Sequence, residues 1–547
     1  MDVETTGREL HEAVCRGAFR GLESPWASLK AAEGPIAAAW TIAIEAARAL
    51  VEPGSAVPTA DEIARFRSEA APVRAAAALA CAHAERAALV TWDEPALAAL
   101  RAIHADLAKD DVAAERTLRR AESWGRLLRG DVTGLEAEGK ALYAEGAQAQ
   151  DASLVIDATL LRAMASLTLG DVEAATGMAR RASRMARTEG LRAERILASL
   201  VLARVRRRGG RPHLATRILA SIGPLAPPVW QGWLRWERSL AGWRPAAERG
   251  PDVDLGLADA PDRPSTRAAR GLLRWLAGAH SGDRAAADGA RDVVLVEAAG
   301  FADMATEAAA LAAALDPDVA LEALPGTVQA WARGDVDETP AGLHGIVGPP
   351  DGPADSTIAS VVCRPGAVPR RILRVAVPLL GDDPSLVRLE RTRLRRGRVD
   401  TAIAALALAG EEGLSDATLF EKAYEFEFVS ALHAGILDVL VHRMRARVED
   451  AATVHRHSGR LRLEPHGGLV LPDPRCVEHV EDRLLRVIAR HGGITTRQAA
   501  QELDVSVRTA QLALRRLLAS GDCVLNRDGR RVQYLVEDTT FTEPTRY

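Results

Sequence analysis

The chain reads as a mainly α protein: an N-terminal solenoid of helical hairpins, followed by two small α+β domains. Three observations predict this. Apolar residues recur at three- and four-residue spacing through residues 1–340, and no segment there alternates with period two. Aromatic residues make up only 4% of the 547 and alanine is abundant, which suits close-packed helices better than a β-sandwich. Beyond residue 370, helical stretches are interleaved with short strand-like runs and Gly-rich turns.

The totals exclude several classes. No run of eighteen apolar residues exists, so no membrane span is expected. The start, MDVETTGREL, is acidic and polar and is not a signal peptide. Five scattered cysteines (Cys15, Cys81, Cys363, Cys476, Cys523), with no C-x-x-C pair, fit a reducing cytoplasm with neither a disulfide framework nor a zinc site. The formal charge is −4, but it is divided unevenly: residues 371–547 hold 27 basic and 25 acidic side chains, the remainder 43 and 49. The weakly basic part is therefore the C-terminal one. Only four basic residues are lysine, a bias that points to a GC-rich genome and makes single arginines less informative.

Taken in order, residues 1–340 are punctuated at Gly34-Pro35, Pro53-Gly54, Pro58 and Gly209-Gly210, with a longer loop expected from Pro245 to Pro264. Gly130-Asp131, Gly170-Asp171 and Gly210-Arg211 follow one another at forty-residue intervals. Ala175 and Ala215 lie five residues after the second and third of these glycines. Gly282-Asp283 with Ala287, and Gly334-Asp335, read as later degenerate copies. Each glycine would end a helix and each alanine would let two helices approach. The pattern resembles the tetratricopeptide repeat, with a longer period and without its aromatic. The resemblance implies a surface for a protein or peptide partner. Gly134 to Ala141 nearly spells a phosphate-binding loop, but Ala141 has no hydroxyl for magnesium and Glu136 and Glu138 would repel phosphate.

Residues 341–370 read as a linker, because Gly348-Pro349-Pro350-Asp351-Gly352-Pro353 cannot hold a helix; Val361-Val362-Cys363 would add a short strand. Residues 371–473 form the first α+β domain. Strands are expected at Leu373–Leu380 and Val387–Leu394, helices at Asp400–Ala409, Asp416–Tyr424 and Ala434–Val448, then strands turning at Ser458-Gly459 and His466-Gly467-Gly468. Ser415 to Tyr424 and Leu437 to Val448 resemble the second and recognition helices of the OmpR/PhoB-type winged helix. That resemblance implies that Arg443 reads bases, that His442 and Arg445 meet phosphates, and that Val439 and Met444 pack. It also implies that the loop Glu425 to Ser430 faces RNA polymerase. Two departures stand: Pro465-His466-Gly467-Gly468-Leu469 replaces the usual basic wing, and no receiver domain precedes this one.

Residues 474–547 form the second α+β domain, and the rest of the chain reads as arranged to present it. Cys476–Arg490 is an apolar-periodic helix, stopped by His491-Gly492-Gly493. Thr495 and Gln498 make a capping box for a helix ending at Leu503. After the turn Asp504-Val505-Ser506, Ser506 caps Val507–Ala519, whose buried stripe is Ala510, Leu514, Leu517 and Leu518. Arg508, Gln511 and Arg515 share its other face, with Thr509 beside them. Strands Cys523–Asn526 and Arg531–Val536 flank a turn carrying Arg527 and Arg530, with Arg531 just after it. Arg can bond guanine, and Gln adenine, in bidentate fashion from such a helix. The layout resembles the winged helix-turn-helix of bacterial transcriptional regulators of the MarR and GntR groups, which implies double-stranded DNA as partner and commonly a homodimer.

His455 and His457 flank Arg456 without a third ligand at compatible spacing, and no nucleophile elbow, catalytic carboxylate pair or dinucleotide fingerprint is present. The expectation is therefore a non-enzymatic cytoplasmic DNA-binding regulator with no metal or cofactor. The alternative is a scaffold in which the repeats and both small domains bind protein.

Overall fold

A computed structural model describes residues 2–243, 260–323, 326–337, 340, 342–343, 345–346, 357–381, 384–389, 397–476, 480–491, 493–519, 522–528 and 531–535. Most of the expected loop at Pro245 to Pro264 and the Gly348 to Pro353 run lie outside them. The described chain is mainly helical with a few small sheets. None of its helices is long and apolar enough to cross a membrane.

Up to residue 333 the described residues run from helix to helix, and local chemistry sets the ends. Asp93, Asp111, Asp151, Asp171 and Asp283 each precede a helix, and each carboxylate accepts a free backbone N–H of its first turn. Gly130, Gly170, Gly210, Gly282 and Gly334 all have φ between 73° and 86°, the left-handed conformation that turns the chain out of a helix. Ala175, Ala215 and Ala287 are buried. At Gly278 a Cβ would lie 2.9 Å from the backbone nitrogen of Ala287, so these two helices pack nearly backbone to backbone. Between these alanine-rich surfaces, fully buried Trp92, Trp230, Trp233, Trp236, Trp275 and Trp331 fill the wider gaps. Gly134 to Ala141 begins the helix Leu135–Gln148, and Lys140 pairs with Glu136 there rather than standing in a phosphate loop.

A buried ionic cluster locks the middle of this region. Arg204 and Arg207, on the helix Arg192–Arg208, are fully buried. Arg204 donates to Glu237 at 2.7 Å and to Asp303 at 2.6 Å; Arg207 donates to Glu237 at 2.8 Å and to Glu307 at 2.6 Å. Trp236 Nε1 donates to Glu307 at 3.0 Å. The helices Gln231–Gly242 and Ala302–Leu315 are thereby tied to one pair of arginines.

The expected linker is only partly a linker. Strands β1 (Ala359–Cys363) and β2 (Arg370–Leu373) join β3 (Leu386–Arg388) and β7 (Gly468–Pro472) in a sheet of order β2-β1-β7-β3. In it Val361 pairs with Leu471, and β3 runs parallel to β7. Val362, Ile372 and Val470 complete the helical core; Val361, Cys363, Leu469 and Leu471 point into the core of the first small domain. Strands β1, β2 and β7 are buried between the two cores, while β3 is an exposed edge, so residues 359–373 are a structural joint. Leu373–Leu380, expected as a strand, is strand only at its first residue: Arg374–Leu380 is a 3₁₀-helix containing Pro378, which lacks the N–H that a sheet ladder needs. Of the strand expected at 387–394, only Leu386–Arg388 is observed within the described residues.

The remaining elements follow the expected order. Helices Arg398–Leu408, Asp416–Tyr424 and Ser430–Val448 pack on a sheet of order β4-β6-β5, formed by β4 (Leu414–Ser415), β5 (Ala452–His457) and β6 (Arg460–Pro465). The C-terminal helices are Val480–His491, Thr496–Glu502 and Val507–Ala519, followed by the hairpin β8 (Val524–Asp528) and β9 (Arg531–Leu535). Cys476 belongs to the preceding turn rather than to the first of these helices.

Asp473, at the end of β7, is fully buried between Arg371 at 2.6 Å and Arg475 at 2.7 Å. Burial pushes its carboxyl upward, but the two guanidiniums outweigh this and bring it down to about 2. A carboxyl depressed on folding stabilises the native state above its ordinary value of 3.8, and the contribution is lost as pH falls through about 2. The shift corresponds to on the order of 2 kcal/mol. Urea unfolding from pH 5 to pH 2 is expected to lose that increment in the wild type. Asp473→Asn should lack the increment while being less stable at neutral pH.

Candidate nucleic-acid interface

The C-terminal helix pair is assembled by short-range chemistry. Thr495 Oγ1 accepts from Gln498 N at 3.3 Å, and the Gln498 side chain accepts from Thr495 N at 3.0 Å, so the expected capping box is present. Asp504 takes φ 50° in the turn. Ser506 Oγ accepts from Thr509 N at 3.0 Å and lies 2.8 Å from Thr509 Oγ1, so both hydroxyls sit at the start of Val507–Ala519. Ala510, Ala513, Leu514 and Leu517 are buried against Leu484, Leu485 and Ile488, with Leu518 partly buried beside them. That burial turns Arg508, Gln511 and Arg515 outward, and all three are exposed. None of the three is engaged by another described residue. The helix contains three arginines and no carboxylate.

The hairpin that follows packs against Val480–His491 and the segment after it. Its register pairs Val524 with Leu535 and Asp528 with Arg531, and Tyr534 exchanges backbone hydrogen bonds with Ile494 at 2.8 and 3.0 Å. The segment between the first two C-terminal helices is thus tied to the hairpin. Arg527 is exposed on β8. Arg530 and the side chain of Arg531 lie outside the described residues. Two contacts invisible in the sequence steady the unit: Arg516 pairs with Glu481 at 2.9 Å, and Arg483 donates to the Leu503 carbonyl at 3.2 Å.

The unit also docks on the helical region. Leu214, on the helix Pro212–Ile222, belongs to the same apolar cluster as Leu484 and Leu514, and Arg211 pairs with Asp522 at 2.7 Å.

The first small domain presents a different surface. His442, Arg443 and Arg445 are exposed near the end of Ser430–Val448. Arg445 is held by its Nε on the Val454 carbonyl of β5, at 3.1 Å. Met444 is buried as expected, but Val439 is not packed: it is 51% exposed. Leu432 is 72% exposed and Ile436 43%, and four- and three-residue spacing puts these side chains on one stripe of the helix. Arg456, from β5, spans Asp416 and Asp438 at 2.6 and 2.5 Å, leaving a carboxylate near this stripe. Around the loop before the helix, Phe420 and Tyr424 of Asp416–Tyr424, Phe426 and Phe428 of the loop, and His433 of Ser430–Val448 form one aromatic cluster, with Phe420 stacked on Tyr424 and His433 at centroid separations of 4.4 and 4.8 Å.

Comparison of the chain with protein-family models, with curated proteins and with solved structures finds no match.

Proposed function

We propose that the protein is a DNA-binding transcriptional regulator that reads an operator through Val507–Ala519, as in a winged helix-turn-helix. The observation that carries this reading is the exposed face of Arg508, Gln511 and Arg515, on a helix without carboxylates and with no partner to the three among the described residues, followed by a hairpin with Arg527 exposed. Long donors at the start of a helix beside a hairpin suit entry into the major groove, with hydroxyls and arginines of the flanks on phosphates. The docking of Leu214 and Arg211 against this unit supports the helical-repeat region as the input side. A protein or peptide held on the repeats would alter how the reading helix is presented, and a homodimer would place two such helices on two half-sites.

The test is binding of the intact protein to fragments of its own promoter region at low and moderate salt. For about four phosphate contacts, affinity should fall on the order of a hundredfold between 50 and 200 mM salt. Binding that is absent, or insensitive to salt, would overturn the reading.

A second reading is favoured by one observation. The helix Ser430–Val448 exposes Leu432, Ile436 and Val439, with Phe426 before it, where a DNA reader would carry polar donors. Under this reading the first small domain docks protein, RNA polymerase being the partner implied by its OmpR/PhoB-type resemblance, and the chain acts as a scaffold. It becomes the leading reading if the promoter experiment fails.

A further inference from the structure

We propose that His11, Cys15 and His83 form a binding site for a borderline-soft divalent cation of the Zn2+ class. His11 and Cys15 lie four residues apart on the helix Val3–Cys15, hence on one face, and His83 faces them from the helix Ala71–Val90. The two Nε2 atoms are 2.8 Å apart, Cys15 Sγ is 3.8 Å from His11 Nε2, and all three ligand atoms fall within 4.8 Å of one another. A tetrahedral zinc with ordinary Zn–N and Zn–S bonds needs nitrogens about 3.3 Å apart and a sulfur about 3.6 Å from nitrogen. The nitrogen–nitrogen separation differs from this by about half an ångström and the Cys15–His11 separation by less, within the reach of small side-chain rotations.

The arrangement is held from outside. Gly7 allows the first helix to lie against Trp40, where a Cβ would come within 2.4 Å of the indole, and the His11 ring sits 6.2 Å from that of Trp40. All three ligands are half-buried, so an ion has access. The negative charge of Glu194 acts on both His11 and Cys15 and would offset the charge of the cation. Three protein ligands leave a fourth position for water. On binding, the thiol proton goes to solvent, and the ring that donates in the Nε2–Nε2 bond moves its proton to Nδ1; no electron is transferred.

A neighbouring trio shows what a committed cluster looks like. His104 Nδ1 bonds Glu85 at 2.9 Å, its Nε2 lies 3.2 Å from Thr117 Oγ1, and Cys81 Sγ meets the Leu100 carbonyl at 3.2 Å, with Cys81, Glu85 and His104 all buried. Those ligand atoms are already used. At His11, Cys15 and His83 the ligand atoms face one another instead.

The experiment uses the untagged full-length chain stripped by a chelator. Zn2+ is titrated against a chromophoric competitor, and Co2+ is titrated to follow thiolate-to-metal charge transfer in the near ultraviolet. The expected result is one ion per chain, a charge-transfer band, and a higher melting temperature with Zn2+. Cys15→Ser should abolish the band, and His83→Ala should weaken Zn2+ binding by at least about tenfold. Should His83→Ala fail to fold, the near-isosteric Cys15→Ser decides. Absence of stoichiometric binding, or a band unchanged in Cys15→Ser, would overturn the site. These readouts require no DNA, so the site and the DNA-reading proposal stand or fall separately.

Discussion

Alanine at both Arg508 and Gln511 is expected to weaken selective promoter binding by about a hundredfold or more, with folding unaffected. Each bidentate contact with a base edge discriminates by about 1–3 kcal/mol, and the two side chains sit on the same exposed face of Val507–Ala519. Neither contributes to the buried stripe of Ala510, Leu514 and Leu517, so the melting temperature should not move. Arg515→Ala should act differently. As a backbone contact further along the helix, its loss should reduce affinity similarly for all sequences and make binding less sensitive to salt. Mobility-shift or anisotropy titrations on the promoter fragment and on a scrambled fragment separate the two effects. If the Arg508→Ala, Gln511→Ala double variant binds as the wild type does, the contact moves to Arg443 in the first small domain.

The second large effect is one of stability. Glu307 is buried among Arg204, Arg207 and Trp236 Nε1. Burial opposes its ionisation, but the guanidiniums of Arg207 and Arg204 outweigh that and hold the carboxyl well below the usual range. Glu307→Ala therefore leaves buried positive charge short of a counter-charge, which costs about 3–5 kcal/mol. Urea unfolding at neutral pH is expected to show a lower midpoint by that amount with a similar slope. Glu307→Gln keeps the shape and should still lose a large part of it, because the charge is what the arginines require. A loss below about 1 kcal/mol in both variants would mean that surrounding burial, rather than the cluster, ties the helices together.

How much was legible follows from the range of each interaction. Ser415 and Ser506 each bond a backbone N–H three residues on, so Asp416–Tyr424 and Val507–Ala519 begin where the sequence places them. The outward face of Arg508, Gln511 and Arg515 was equally legible, because helical periodicity and one buried stripe determine it. The face of Ser430–Val448 was not. Val439 fits a packed position by resemblance, yet nothing described covers it. The hairpin's existence was readable from its turn residues, while the docking of the C-terminal helices on Leu214 was not.

By itself the sequence determined the local vocabulary: helix starts and stops, capping residues, left-handed glycines at 130, 170, 210 and 282, and the exposed arginines of the last helix. Each depends on atoms a few residues apart, where the backbone's own hydrogen-bonding needs dictate the answer. Only the tertiary structure decided what joins distant segments. It made Val361 and Leu471 sheet partners, turning half of a presumed linker into a buried joint. It gathered Arg204, Arg207, Glu237, Asp303 and Glu307 into one cluster, and it brought His83 to within 2.8 Å of His11. Charge and ligand chemistry act over a few ångströms in space, and no spacing along the chain records which residues folding will place that close.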